Sequence, residues 1–297
     1  MHHFKNNVVC FTLFKNKIKV FLPIISETVK MKFITIFFYS LFFINTLKAQ
    51  EPLTPRGSVY FFLGLSLPIA KVRDEGHSPL IYKGLNPTFR AGYERVGTDV
   101  VSRITFSFSS GEIKPKPRPH PEKSLSKAEI NTIEVCYAYY RRLNGTYDAE
   151  GWNRYVGGAI TFLFDGRNYN LPSNNLFGYQ ANLSLNAGGF VQKKVAKNYR
   201  LNDELLTPLL TFAMRPSYIG LLPIMQNNLS AKRILKTGKV VTVNKLFRFY
   251  NRIGFDQQIN DHRQRRLSYT WDALINSSSK PLRSVSAGLS YESLFKM

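Results

Sequence analysis

The feature that most constrains this chain is a repeated alternation of apolar and polar residues with a period of two. One long run has every second residue apolar, with Gly, Gln, Asn and Ser between them: Phe177, Tyr179, Ala181, Leu183, Leu185 and Ala187. Because successive side chains of a β-strand point to opposite faces, such a run gives a strand one apolar and one polar face. Repetition of this pattern favours an all-β protein.

Several further stretches repeat this alternation, so we predict about nine clear strands. They cover residues 59–67, 89–93, 103–109, 133–139, 155–164, 177–187, 247–255, 267–275 and 284–295. Residues 189–240 are harder to interpret because Pro208, Pro216 and Pro223 interrupt extended stretches. A proline lacks the N–H that a sheet needs, so these positions must lie at bulges, strand ends or loops.

The N-terminal region has the composition of an export signal. After Met31 come Lys32, a 15-residue apolar run (FITIFFYSLFFINTL) and Ala49 as a small residue for cleavage. We therefore expect residues 1–30 to be an over-extended start and residues 31–50 to be a cleaved signal peptide. Residues 51–297 would then form a single domain.

An export signal followed by strands with two unlike faces predicts a closed antiparallel up-and-down transmembrane β-barrel. Single-chain bacterial barrels have an even number of strands, so we expect ten or twelve. We expect long connections at residues 68–87, 110–129 and 166–175 and a short turn at Gly97–Asp99, which would place the chain start on the periplasmic side. Mean hydropathy is -0.19, too polar for a bundle of membrane helices but compatible with alternating strands.

Aromatic residues make up 14% of the chain, which fits girdles at the two lipid–water interfaces of a barrel, although a soluble protein with an aromatic interior could share this composition. The candidates for lipid-interface aromatics lie on the predicted apolar faces: Tyr93, Tyr139, Phe177, Tyr269, Trp271, Tyr291 and Phe295.

The predicted polar faces carry equal numbers of basic and acidic residues, which this register points into the lumen. They are Arg90, Glu94, Arg103, Glu134, Arg248, Arg252, Asp272 and Glu292. Buried charges persist when they are paired and hydrogen-bonded, so one interpretation is a structural ion-pair network that fills the lumen. The alternative is a narrow polar channel lined by the same groups.

The formal net charge is +22, which indicates an anionic partner. No nucleic-acid-binding motif is present and the export signal argues against such a role. Outer-membrane lipids and the phosphates of lipopolysaccharide are better candidates. Basic clusters with this potential include the segment His262–Arg266, which precedes an aromatic strand.

Residues that could support catalysis form no recognisable motif. His77, His120 and His262 have acidic neighbours only at spacings that fix no nucleophile–base geometry, and no metal-ligand pattern is present. Loss of Cys10 with the signal would leave Cys136 as a lone, packed thiol. We predict no catalytic residues, no metal and no cofactor, although the sequence does not settle whether the chain is an enzyme.

With the signal ending Lys48–Ala49–Gln50, the strand patterns from Val59 onward and the final strand SVSAGLSYESLF, the chain resembles outer-membrane β-barrel proteins of the Bacteroidota type. In such families the last strand is read by the barrel-assembly machinery, which the resemblance implies as a partner during insertion. Here Lys296 and Met297 follow the terminal aromatic Phe295, a departure from that pattern.

These observations leave three functions open. The first is an integral outer-membrane barrel with a passive transport, structural or surface-contact role. The second is a barrel enzyme that acts on lipid or lipopolysaccharide. The third is a secreted soluble β-protein that binds an acidic glycan or a small ligand.

Overall fold

The computed structural model describes residues 57–76, 78–115, 127–143, 151–171, 174–215, 238–277 and 281–297. These residues form twelve strands. In chain order they are β1 (Ser58–Asp74), β2 (Ser78–Leu85), β3 (Thr88–Val96), β4 (Val100–Pro115), β5 (Lys127–Arg142), β6 (Trp152–Leu171), β7 (Asn174–Ala196), β8 (Tyr199–Met214), β9 (Gly238–Thr242), β10 (Leu246–Asn260), β11 (Arg263–Asn276) and β12 (Leu282–Lys296). The predicted signal peptide and residues 1–30 lie outside the described residues.

The strands close into a ring in which every neighbouring pair is antiparallel. Starting from β1, the order is β3, β4, β5, β6, β7, β8, β10, β11, β12 and back to β1. β2 and β3 share one place in the ring, between β1 and β4, and β2 lies on the side away from the beginning of β1. β9 and β10 likewise follow one another along the same edge of β8. The predicted all-β, closed up-and-down transmembrane barrel class is therefore the observed one, with twelve strands in the described chain.

Two places in the ring are interrupted, one between β2 and β3 and the other between β9 and β10. A proline lies beside each break: Pro87 between β2 and β3, and Pro208 on β8, between the residues that pair with β10 and those that pair with β9. Between β2 and β3, Pro87 has no N–H to donate, but Asn86 N–H still donates to the Pro68 carbonyl at 2.9 Å and Ser110 N–H to the Pro87 carbonyl at 3.3 Å. In β8 the register shifts where Pro208 pairs with Asn186 and Leu210 with Leu185. The extra residue, Leu209, makes a β-bulge, as the proline predicted.

The strands run farther than the alternation predicted, so two expected long connections are wrong. Residues 68–87 are largely strand, because β1 continues to Asp74 and β2 returns beside it. The connection expected at residues 166–175 is strand up to Leu171 and again from Asn174. In these extensions polar residues such as Lys71 and Asn168 face outward. Val72 and Tyr169 face inward, so the apolar face changes sides and the alternation of the preceding residues is not continued.

The two ends of the barrel are named from the direction of β1: β1 begins at the start end, at Ser58, and finishes at the far end, at Asp74. The start end is defined by the turns at Gly97–Asp99, Lys197–Asn198 and Asp261–His262. The far end is defined by the opposite strand termini, where residues 116–126 and 216–237 connect described strands.

The side chains divide cleanly between the outer and inner faces of the ring. Large apolar side chains cover the outside, with Leu65 67% and Leu67 62% exposed, whereas Ser66 between them is buried. The same division is seen on β12, where Leu289 and Tyr291 are exposed and Ser290 and Glu292 are buried. The barrel thus has an apolar exterior and a largely polar interior.

Candidate functional site

The interior near the start end is occupied by arginine and carboxylate side chains from separate strands. Arg103 on β4 lies between Glu94 on β3, with Nε–Oε2 at 2.7 Å, and Glu204 on β8, with Nη1–Oε2 at 2.6 Å. Because β3 and β8 lie far apart around the ring, this one guanidinium links opposite walls of the barrel.

Arg266 on β11 makes the most extensive contacts of this group. Its Nη1 and Nη2 donate to Glu94 at 2.8 and 2.9 Å, and its Nε and Nη2 donate to Asp256 at 2.5 and 2.9 Å. Its Nη1 also lies 3.5 Å from the Glu292 carboxylate. Paired N–H groups of one guanidinium that bind carboxylates in this way give strong, geometrically specific contacts.

The remaining members close the network around Glu292. Arg90 Nη1 lies 3.0 Å from Glu292 Oε1, and Arg252 lies 3.6 Å from Glu292 and 3.2 Å from Glu204. Tyr140 Oη donates a hydrogen bond of 2.8 Å to Glu204. The start-end network is the set Arg90, Glu94, Arg103, Glu204, Arg252, Asp256, Arg266 and Glu292.

The formal charges of the start-end network cancel, and its members are removed from solvent. Arg252 and Glu292 are 0% exposed. A charge withdrawn from water costs several kcal/mol unless partners of opposite sign surround it. The mutual pairing gives each charge a partner of opposite sign, although the Arg252 guanidinium makes no hydrogen bond among the described residues.

A second, smaller cluster lies in the middle of the barrel. Arg248 on β10 donates to Glu134 on β5 at 2.6 Å and to Asp272 on β11 at 2.9 and 2.7 Å. These side chains are less buried than the start-end network and line a polar cavity of about 170 Å³. A cavity of this size holds several water molecules. Gln180, which lines it and is buried, has no hydrogen-bond partner for its amide among the described residues.

Beyond this cavity, the interior toward the far end becomes apolar. Buried side chains from several strands pack together there: Val72, Tyr82, Ile113, Ala128, Ile130, Tyr169, Leu274 and Leu282. Asp74 lies at the same end and pairs with Arg167 at 3.2 Å and Arg215 at 2.6 Å, and Arg167 also binds Asp165. The cavity therefore lies between the start-end network and this apolar layer, and Val72, Ile130 and Leu274 of the layer also line it.

All the predicted lumen charges belong to one of these two groups. The structure places Arg90, Glu94, Arg103, Arg252 and Glu292 in the start-end network and Glu134, Arg248 and Asp272 in the middle cluster.

The sequence reasoning missed Glu204 and Asp256. It assigned Arg266 to a basic segment for anionic head groups, which is wrong because the structure buries this side chain inside the barrel. Glu204 lies on β8 within the stretch obscured by prolines. Arg266 could have been found, because it continues the inward row Ser268, Thr270 and Asp272 by one more step of two.

The predicted interface aromatics are all exposed on the outer face: Tyr93, Tyr139, Phe177, Tyr269, Trp271, Tyr291 and Phe295. Their positions along the strands differ. Phe295 lies near the start end, where the Arg263 guanidinium is 5.5 Å from its ring. Tyr269 and Trp271 lie within the outer row of β11 that runs from Leu267 to Ile275, and not at its ends.

Of the three histidines considered for catalysis, the structure describes one, His262. His77 and His120 lie outside the described residues, and His262 is exposed in the turn between β10 and β11. Within the described ranges, no group of His, Cys, Asp and Glu residues could hold a metal ion. That same part of the chain contains no helix long and apolar enough to cross a membrane.

Solved structures with the same architecture are outer-membrane β-barrels of Gram-negative bacteria. The outer-membrane protease OmpT of Escherichia coli aligns with a TM-score of 0.53 and 6% identity, over 84% of this chain and 99% of that one. The transport unit of the autotransporter AIDA-I of Escherichia coli aligns with a TM-score of 0.41 and 10% identity, over 85% and 94% of the two chains. The COG4313 outer-membrane channel of Pseudomonas putida F1 aligns with a TM-score of 0.35 and 12% identity, over 83% and 100%.

No protein-family profile and no curated protein matches the sequence. At 6% identity, the similarity to the OmpT structure shows a shared barrel fold. The class of protein is therefore defined by architecture, and the role has to be argued from the lumen and the outer surface.

Proposed function

We propose that this chain is an integral outer-membrane β-barrel with a closed lumen, whose role is structural or one of surface contact. The start-end network carries this proposal. Eight buried charged side chains with cancelling charge are joined across the ring and so obstruct the lumen at that level.

The outer face supports a position in a membrane. On β12 the outward row from Val285 to Phe295 is apolar apart from Ser293, over about ten residues. At about 3.3 Å per residue and a tilt of about 40°, this row covers roughly 25 Å, the height of the apolar band of outer-membrane barrels. A soluble barrel would place large side chains such as Leu65 and Leu67 inside.

The connections support an orientation with the start end in the periplasm. Outer-membrane barrels have short periplasmic turns and longer extracellular loops. Most start-end turns are two or three residues long, whereas residues 116–126 and 216–237 join strands at the far end. Export through a cleaved signal peptide at residues 31–50 and insertion by the barrel-assembly machinery complete this proposal. The signal end and the last strand favour a protein of the Bacteroidota type.

Passive transport is the role that the interior favours least. A channel needs a continuous polar path, but the start-end network closes one end of the cavity and the apolar cluster around Tyr82 and Tyr169 lies at the other. The middle cluster lines a cavity of about 170 Å³, but its two carboxylates are already paired with one guanidinium.

Fractionation and conductance together test this proposal. We expect the chain in the outer-membrane fraction, with an apparent gel mobility that changes on heating, and no conductance steps after reconstitution in planar bilayers. A chain that stays soluble without detergent would refute the membrane assignment. Reproducible single-channel steps would refute the closed lumen while leaving the barrel intact.

A further inference from the structure

The outer face near the far end carries lysines directly opposite one another on adjacent strands. Lys71 on β1 pairs in register with Lys83 on β2, and Lys83 pairs with Lys114 on β4. All three side chains are exposed. We name Lys71, Lys83 and Lys114 the lysine row.

Placing like charges opposite one another has an energetic cost. Directly opposed side chains have Cβ atoms about 4.5–5.5 Å apart, and like charges at that distance destabilise a sheet. Glu112 lies 3.0 Å from Lys114 and 2.8 Å from Lys127, which offsets the repulsion at one end of the row. Among the described residues, Lys71 and Lys83 form no ion pair with an acidic side chain.

The lysine row lies directly beside the edge of the apolar exterior. Ile69 pairs with Leu85, both exposed, and Lys71 pairs with Lys83 one pleat farther from the start end. Arg73 and Arg283 are opposed one pleat beyond that. The positive charge thus begins where a lipid leaflet would change from acyl chains to head groups.

Cations also lie on the outer face at the start end, but they are arranged differently. Arg95 is opposite Ser102, Arg141 opposite Val156 and Arg154 opposite Val191. Each of these has a neutral neighbour across the ladder, so its charge needs no shared counter-ion. Among the described outer-face cations, directly opposed pairs therefore occur at the far end, in the lysine row and at Arg73 and Arg283.

We propose that the lysine row binds the phosphate groups of a phosphorylated glycolipid, lipopolysaccharide, in the outer leaflet. This inference rests on the proposed membrane position and orientation. A phosphate between Lys71 and Lys83 accepts hydrogen bonds from both ammonium groups and removes their repulsion. Ile69 and Leu85, one pleat nearer the start end, contact the acyl chains of the same lipid.

The test uses the full chain, purified in detergent micelles, and a binding titration with bisphosphorylated lipid A. The variant K71Q/K83Q removes the two unpaired charges at exposed positions, and K193Q/R265Q removes the same charge from the start end. Each lysine near an anionic surface changes affinity by roughly five-fold, so we expect a loss of roughly 25-fold for K71Q/K83Q and little change for K193Q/R265Q. Dephosphorylated lipid A of the same acyl composition is expected to bind both variants and the unmodified chain equally weakly.

Three outcomes would overturn the inference: unchanged affinity of K71Q/K83Q, an equal loss in K193Q/R265Q, or undiminished binding of dephosphorylated lipid A. A parallel titration with phosphatidylglycerol tests whether the lysine row binds any lipid phosphate. If K71Q/K83Q lowers the affinity for phosphatidylglycerol as much as it lowers the affinity for lipid A, a glycolipid site is also refuted. Heat-modifiable mobility, measured on the same preparations, distinguishes these failures from failure of the proposed barrel.

Discussion

Arg266 and Glu94 are 172 residues apart in sequence and are joined by two hydrogen bonds of 2.8 and 2.9 Å inside the barrel. Glu94 also binds Arg103, and Arg266 also binds Asp256. The pair therefore connects strands β3, β4, β10 and β11 through one buried set of contacts, so the network can form only after those strands are in place.

Replacing Arg266 by Ala is expected to lower the free energy of unfolding by about 3–5 kcal/mol, because Glu94 and Asp256 lose a buried partner. Urea titration in detergent micelles measures the change. Arg265→Ala removes the same side chain from the exposed outer face one residue away and is expected to change stability by only about 0.5 kcal/mol. Similar losses in both variants would show that the buried pairing has no special weight.

Leu289 tests whether lipid covers the exterior. It is 58% exposed on β12 between Leu67 and Tyr269 of the neighbouring strands. In a bilayer, Leu289→Lys is expected to cost about 2–4 kcal/mol of unfolding free energy. Asn168→Lys, beyond the apolar band and opposite Glu129, is the matched control, with an expected cost of about 0–1 kcal/mol. A neutral Leu289→Lys in lipid vesicles would indicate that water already bathes this face.

Gly64 makes room for the ion pair between Arg90 and Glu292. It lies on β1 opposite both residues, and an added Cβ would come within 2.6 Å of Glu292 Cγ and 2.8 Å of the Tyr291 carbonyl oxygen. Gly64→Val is therefore expected to destabilise the barrel by about 1–3 kcal/mol through overpacking.

The control for this substitution is Gly189→Val, since the contact of an added Cβ there is an ordinary one of 3.6 Å with the Tyr155 carbonyl oxygen. Thermal unfolding of the two variants compares them directly. Equal midpoints would mean that the interior side chains rearrange freely around Gly64.

Cys136 reports on access to the cavity. It faces the cavity and its Sγ lies 3.5 Å from Thr161 Oγ1. A polyethylene-glycol maleimide is expected to leave the folded barrel unmodified and to label it fully in urea. The doubly substituted variant C136S/K239C, with an exposed thiol on β9, should react in both states. Rapid labelling of Cys136 in the folded protein would contradict a closed lumen.

The alternation in the sequence was sufficient to predict the barrel where lipid-facing and interior residues alternate, as along β4, β5 and β12. It was insufficient at the far ends of β1 and β6. There Lys71, Arg73 and Asn168 occupy the outward positions. Val72 and Tyr169 are buried inside, so the contrast between the two faces is reversed and no apolar outer row marks the strand.

The interior was partly predictable for a related reason. Arg90, Glu94 and Arg103 lie on strands with a clear apolar face, which fixes the face opposite. Glu204 lies on β8, whose bulge at Leu209 shifts the alternation by one residue, and its pairing with Arg103 depends on ring closure. Such long-range pairing leaves no signal in a single strand.

β6 and β7 contain 20 and 23 residues, whereas a tilted strand needs only about 9–11 to cross a bilayer. At about 3.3 Å per residue and about 45° of tilt, β6 rises roughly 45 Å, so in the proposed membrane position its last part would stand about 20 Å above the hydrocarbon. β5 is hydrogen-bonded along β6 as far as Asn170, so this side of the barrel forms a rigid, hydrophilic two-stranded extension beyond the apolar band. In the proposed orientation, an antibody, a phage or an adjacent cell would contact this extension before it reached the outer leaflet. Such contact would not require a flexible loop.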